Sequence, residues 1–451
     1  MALRYPWRVA SRPTRRQSRV PAGRLERLAR FGLLAGELAA SGLAHGARRL
    51  AGAEAGNALD AVLSAANARK LARRLARLRG AAMKLGQLFS LEGPDILPAE
   101  FAEALAVLRA DADSMPPSQV RRVLGREHGK GWEARFAQFD FEPIAAASIG
   151  QVHRARAADG RELALKIQYP GVARSIESDV DNVAALLRLG RLLPVELDVS
   201  GLIAEAKRQL RQEADYLQEA AHLRRYRALV ADEPRLVVPR VHEDLTTRRV
   251  LAMDYTPGDP IENLAARGVP QERRDAAGRL LERLVFRELF EFRFMQTDPN
   301  FANYLLEPGS DRIVLLDFGS AREFAPEFSE RYKRICRAVI AGDREAVRAG
   351  AVEIGYVGAD EREDRVRGVV DLILLVCEPF RQRGVYDFGR SRLAGRARDA
   401  GLDLMFRRGF LHAPPPETVF LHRKLVGSFL LCARIHARVD AHALIEPLLA
   451  G

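Results

Sequence analysis

The segment Met295-Gln296-Thr297-Asp298-Pro299-Asn300-Phe301-Ala302-Asn303, with the apolar run Ile313-Val314-Leu315-Leu316 and then Asp317-Phe318-Gly319, constrains this chain more than any other. Asp298 stands five residues before Asn303, and Asp317 follows Asp298 by nineteen. That order is the one phosphoryl-transfer sites use: one Asp faces the acceptor, while the Asn and the second Asp hold Mg²⁺ on the nucleotide phosphates. Mg²⁺ is a hard cation that takes oxygen ligands and keeps waters. Asn303 and Asp317 are therefore the expected metal ligands, and Asp298 the catalytic carboxylate. Asp-Phe-Gly alone is a common polar turn after a strand, but the upstream Asp and Asn at this spacing outweigh that plain reading.

The remaining parts of an ATP site lie upstream in order. Ala145-Ala146-Ala147-Ser148-Ile149-Gly150-Gln151-Val152 aligns with the glycine-rich nucleotide loop of kinases, with Ala145 and Ala147 at the first two glycine positions and Gly150 and Val152 matching. Alanine adds a Cβ and closes the left-handed region, so this is a stiffer, alanine-rich loop. Nineteen residues after Ala147, the apolar run Leu163-Ala164-Leu165 ends on Lys166, the expected partner of the α/β-phosphates. A lysine at a strand end is usually just solvated; its place in this series gives it the catalytic reading. A kinase lysine needs a carboxylate on the next helix, and Leu202–Leu229 reads as one helix carrying Glu213, Asp215 and Glu219. Asp215 and Glu219 share a face at four-residue spacing, a repulsive pair unless cations lie nearby. Glu219 is the expected partner of Lys166, against the plain alternative of an exposed acidic face.

With these residues in view, the chain resembles the UbiB (AarF-domain) family of atypical kinases, whose members support coenzyme Q (ubiquinone) biosynthesis. The resemblance rests on Lys84-Leu85-Gly86-Gln87, the Ala145–His153 loop, Glu213-Ala214-Asp215, and Thr297-Asp298-Pro299-Asn300 with Asp317-Phe318-Gly319. The stretches Lys166–Val172 and Leu421–Ile435 extend it, from about residue 80 onward. It implies an α+β, atypical protein-kinase-like, two-lobed fold with an N-terminal helical K-x-G-Q extension and a mainly helical C-lobe. It also implies that Lys84 reaches Glu213 or Asp215, that Gln87 lies near the phosphates, and that this gate impedes peptide phosphorylation. The spacing agrees independently, because Ala325-Pro326-Glu327 follows Gly319 too closely for a regulated activation segment.

Charge is unevenly placed. Residues 1–80 carry 17 Lys+Arg against 4 acids, so the basic excess of a chain with net charge +12 belongs to its start. The run Arg69–Leu78 has the pattern of an amphipathic basic helix leading to Lys84, a surface suited to anionic lipid. No zinc-finger, helix-turn-helix or aromatic RNA-binding pattern accompanies it, so nucleic acid is not the expected partner. Phe31–Ala47 is too short for a span and holds Glu37, which reads as an interfacial helix. The Arg-rich, acid-poor start can mimic a mitochondrial transit peptide, but the Ala/Arg/Leu bias runs through the whole chain. The expectation is bacterial cytoplasm at the inner face of the plasma membrane, with the mitochondrial matrix side as the alternative. Three scattered cysteines, Cys336, Cys377 and Cys432, form no disulfide or zinc pattern, and His153, His412 and His422 read as structural or exposed.

The expected organisation is a basic, membrane-proximal extension over 1–60, the helical K-x-G-Q region over 61–139, an N-lobe over 140–255 and a helical C-lobe over 256–451. The expected cofactors are ATP and Mg²⁺. Expected partners are anionic lipid, quinone-precursor lipids and other quinone-biosynthesis proteins; a homodimer is compatible with the sequence. The reading is a Mg-ATP-dependent ATPase or phosphotransferase of the atypical kinase type, not a protein kinase acting in trans. A catalytically silent nucleotide-binding scaffold is the alternative.

Overall fold

Pro116 and Pro117 set where the first described helix starts: Pro117 occupies the first turn, where its missing N–H leaves no intrahelical bond unmade. The structure is a computed structural model, and it describes residues 114–147, 149–189, 200–410, 412 and 415–449. Lys84, Gln87, Ser148, the helix expected at Phe31–Ala47 and the whole basic extension lie outside these residues.

The described residues up to Leu217, together with His242–Asp254, form one unit. It holds α1 (Pro117–Glu127), β1 (Phe136–Phe139), β2 (Ala145–Ala146), β3 (Gly150–Ala157), β4 (Glu162–Gln168), α2 (Val172–Leu189) and α3 (Ser200–Glu213). The start of α4 (Tyr216–Leu229) belongs here too, while β5 (Leu236–Val237) lies in the other unit and β6 (Val250–Asp254) returns to this one. The sheet runs β1-β3-β4-β6 with β2 on β3, all antiparallel, so it begins before residue 140. β4 is buried on both faces: Leu163, Leu165 and Ile167 are fully buried on one, and Ala164, Lys166 and Gln168 are buried on the other. Lys166 is thus not at a strand end, as its sequence context suggested, but two residues inside one.

The expected continuous helix over Leu202–Leu229 is broken. α3 stops at Glu213 and α4 starts at Tyr216, because the Asp215 carboxylate accepts from the backbone N–H of Leu217 (3.1 Å) and caps the second helix. Asp215 and Glu219 therefore do not form one uninterrupted face.

Gln218–Val241 and the residues from Tyr255 onward form the second unit. β7 (Asp259–Pro260) opens this stretch and pairs with a later strand. α5 (Gln271–Phe290) is its centre, with Leu280, Leu281, Leu284, Val285 and Phe286 buried around most of its circumference. A helix apolar on so many sides belongs in an interior. β8 (Phe294–Gln296), β9 (Tyr304–Leu306), β10 (Ile313–Leu315) and β11 (Ala321–Glu323) follow. The sheet order is β5-β10-β9-β7, with β8 and β11 a separate antiparallel pair.

Helices α6 (Pro326–Ala341), α7 (Arg344–Ile354), α8 (Glu363–Val376), α9 (Glu378–Arg381) and α10 (Leu393–Leu402) come next. After them lie α11 (Pro416–Arg434) and α12 (Ala441–Leu449), both packed on α5. The Ala-Pro-Glu triplet is a helix start: Ala325 precedes α6 without a side-chain cap and Pro326 occupies its first turn. Only β11 and its flanking turns separate it from Gly319. Among the described residues no helix is long and apolar enough to cross a membrane.

Candidate active site

In the first unit the nucleotide loop is a β-hairpin. Ala145 pairs with Val152 and Ala146 with Gln151, while the Ala147 N–H donates to the Gly150 carbonyl (2.9 Å). Gly150 is glycine because its neighbours leave no room: a Cβ there would lie 2.5 Å from the Ile167 carbonyl oxygen and 2.8 Å from the Tyr216 hydroxyl. Val152 faces Lys166 across the ladder, and Leu251 flanks Lys166 on the other side. The Lys166 ammonium sits 5.4 Å from the centre of the Tyr216 ring, a cation–π contact that suits a buried cation.

The Glu213-Ala214-Asp215 stretch is tied to the same strand. Gln168 Nε2 donates to the Ala214 carbonyl (3.0 Å), Glu213 is buried, and Asp215 pairs with Arg248 at 3.5 Å. Ala145, Ala146, Ala147, Gly150, Val152 and Lys166 are thus gathered on one hairpin and its neighbouring strand, with Glu213 and Asp215 anchored to that strand's end. Tyr216, which supports both Gly150 and Lys166, was not singled out in the sequence; its position next to Asp215 was the only signal.

In the second unit β8 delivers Asp298 and β10 delivers Asp317. Asn303 Nδ2 donates to Asp298 Oδ2 (3.1 Å), so the amide nitrogen engages the carboxylate. The Gly319 N–H donates to Asp317 Oδ1 (3.0 Å), fixing the aspartate on its own turn. Asn303 and Asp317 line one small cleft together with Tyr226, Gln296, Tyr304, Phe318 and Lys424. A carboxylate and an amide facing the same cleft are a hard-oxygen donor set, which fits Mg²⁺.

α4 secures the Asp-Phe-Gly turn. His222 Nδ1–H donates to the Phe318 carbonyl (3.0 Å), and the Tyr226 ring packs on Phe318 at 4.5 Å between centroids. Burial lowers the His222 pKa, which keeps the ring neutral. Glu219 is almost fully buried on the same helix, in the second unit, whereas Lys166 belongs to the first.

On the wall of the same cleft lies a polar cluster that sequence reading passed over. The Lys424 ammonium, from α11, reaches Glu288 Oε2 (3.1 Å), Gln296 Oε1 (3.3 Å) and the Tyr304 hydroxyl (3.2 Å). Burial pushes the Glu288 carboxyl up, while the acceptors around Lys424 hold its ammonium protonated. The lysine of His422-Arg423-Lys424, just before the apolar stretch Leu425–Cys432, was the available signal.

A sheet-rich unit carrying a buried strand lysine, and a helical unit carrying Asp298, Asn303 and Asp-Phe-Gly, define a kinase-like protein of atypical type. Residues 107–351 match the ABC1 atypical kinase-like domain, and the chain belongs to this family, the UbiB atypical kinases. It is 40% identical to the atypical kinase COQ8B, mitochondrial, of Rattus norvegicus, over 96% of this chain and 81% of that protein. It is 36% identical to the atypical kinase COQ8, mitochondrial, of Saccharomyces cerevisiae, over 97% of this chain and 87% of that one. A solved structure of Rv3197 from Mycobacterium tuberculosis, in complex with erythromycin, matches with a TM-score of 0.59 and 27% identity, covering 84% of this chain and 94% of that one.

These matches correct the expected bacterial plasma-membrane location. Both COQ8 relatives are named mitochondrial, in agreement with the alternative. Composition misled here because an Ala/Arg/Leu bias and an Arg-rich targeting segment share the same residues.

Proposed function

We propose that this chain is a Mg-ATP-dependent ATPase or phosphotransferase that supports coenzyme Q biosynthesis at a membrane surface and does not phosphorylate proteins in trans. The observation that carries this reading is that Asn303, hydrogen-bonded to Asp298, shares one cleft with Asp317. Asn303 and Asp317 would hold Mg²⁺, which supplies charge neutralisation at the phosphates when bound. Asp298 orients the attacking hydroxyl or water and takes up its proton. Lys166 adds a fixed positive charge for the α/β-phosphates, and the Ala145–Gly150 hairpin covers them with backbone N–H groups. The short path from Gly319 to α6 leaves no activation segment on which a peptide would lie. The membrane and quinone-precursor lipids, and other quinone-biosynthesis proteins, are partners that the family resemblance and the basic start support.

The test is steady-state Mg-ATP hydrolysis by the purified full chain, with and without anionic liposomes, beside Asp298→Asn and Asp317→Asn. Turnover that rises with liposomes and is lost in both variants is the expected result. Tight ATP binding without turnover under either condition would overturn it in favour of the nucleotide-binding scaffold.

A further inference from the structure

We propose that Lys424 is the positioning residue of this site, holding the loop of Asp298 and Asn303 by both ends without touching the reacting atoms. The loop runs from Thr297 to Asn303 and is bounded by Gln296 on β8 and Tyr304 on β9. One ammonium hydrogen-bonds both bounds, Gln296 Oε1 at 3.3 Å and the Tyr304 hydroxyl at 3.2 Å. An ammonium has three protons and accepts nothing. Its charge partner is Glu288 Oε2, an ion-pair contact at 3.1 Å in a nearly solvent-free place.

The donor-only character of Lys424 fixes the amide of Gln296. With Oε1 held by the ammonium, Nε2 is turned to the Asp298 carbonyl and donates to it at 2.9 Å. A flipped amide would set N–H against N–H. Glu288 completes the frame, because its Oε1 accepts from the Gln296 N–H (2.9 Å) and from the Tyr226 hydroxyl (2.8 Å). The Tyr226 ring in turn packs on Phe318 of the Asp-Phe-Gly turn. α11 presses on the same loop elsewhere, since a Cβ at Gly427 would lie 2.1 Å from the Pro299 Cβ. One helix more than a hundred residues downstream thus sets where the acceptor-facing Asp and a metal-holding Asn stand.

The consequence for catalysis rests on the ATP-turnover reading above, so the experiment separates the two. Lys424→Met alone strands a buried carboxylate and is expected to fold poorly. The deciding variant is Lys424→Met with Glu288→Gln, which removes both charges yet keeps an oxygen for Tyr226 and the Gln296 N–H. Amide hydrogen exchange is measured on the nucleotide-free full chain, alongside its melting temperature and its ATP hydrolysis. The expected result is a folded protein whose Thr297–Asn303 amides exchange about tenfold or more faster. Its kcat should fall by a similar factor, with KM for ATP within about twofold of wild type. Wild-type exchange in that loop overturns the proposal, whether kcat is kept or lost. If the wild-type chain hydrolyses no ATP, the turnover reading fails, and loop exchange alone decides the role of Lys424.

Discussion

At the scale of single residues, the site depends on how closely a few backbones approach. Gly150 is held between the Ile167 carbonyl and the Tyr216 hydroxyl. Gly150→Ala forces the hairpin away from β4, and overpacking of this kind costs about 1–3 kcal/mol. We expect a lower melting temperature and weaker ATP binding, measured by thermal denaturation and by titration of a fluorescent nucleotide; unchanged values for both would refute the close-approach account. The match of Gly150 to the nucleotide loop was legible in the sequence, as was the order of Lys166, Asp298, Asn303 and Asp317. Tyr216, which explains why glycine is required there, was not, because its contact with Gly150 crosses 66 residues of chain. His153 shows the reverse. Its Nδ1–H donates to the Asp140 carbonyl (2.8 Å) and its Nε2 accepts from Gln151 (2.7 Å), so it is the structural histidine the sequence suggested.

At the scale of elements, the periodicity over Leu202–Leu229 was read correctly as helical and wrongly as unbroken. A capping aspartate and an acidic helix residue have the same one-letter signature, and only the backbone decides between them. If Asp215 acts here chiefly as the cap of α4, Asp215→Ala lowers stability by about 1 kcal/mol while Asp215→Asn leaves it nearly unchanged, since asparagine caps as well as aspartate. Chemical denaturation of the two variants distinguishes capping from a role of the charge: equal losses in both would point to the charge, including its contact with Arg248. The α11 helix teaches a related lesson. Its apolar stretch Leu425–Cys432 predicts burial, but nothing there says that the preceding Lys424 meets Glu288, Gln296 and Tyr304.

At the scale of the whole molecule, a buried and a half-buried histidine contribute to the response to acid. His153 in the first unit and His422 in the second both have pKa values lowered to about 4 by burial, from an ordinary 6.5. His422 Nε2 lies within hydrogen-bond distance of the Tyr332 hydroxyl (2.8 Å) and the Tyr356 hydroxyl (2.5 Å), which also bond each other, so a neutral ring nitrogen has one hydroxyl proton to accept. At these two histidines the unfolded chain binds more protons than the folded one between pH 6.5 and 4, so their contribution to stability rises with pH across that window and is lost as pH falls; the buried Glu282 carboxyl, pushed up to about 7, acts in the opposite sense. For the fully buried His153 the loss is on the order of 3 kcal/mol. Between pH 7 and pH 4.5 His422→Gln should lose less melting temperature than wild type; equal changes in the two would contradict neutral burial of His422. The sequence by itself determined the family, the α+β kinase-like class and the order of the candidate phosphate-site residues, because chemistry restricts which side chains suit Mg²⁺ and phosphate and at what spacing. Tertiary structure alone decided that Lys166 lies inside a doubly buried strand, that Asp215 ends one helix and begins another, and that Lys424 grips both ends of the Asp298 loop. Those facts depend on contacts between distant segments, where burial and hydrogen-bond geometry, rather than local pattern, select the partner.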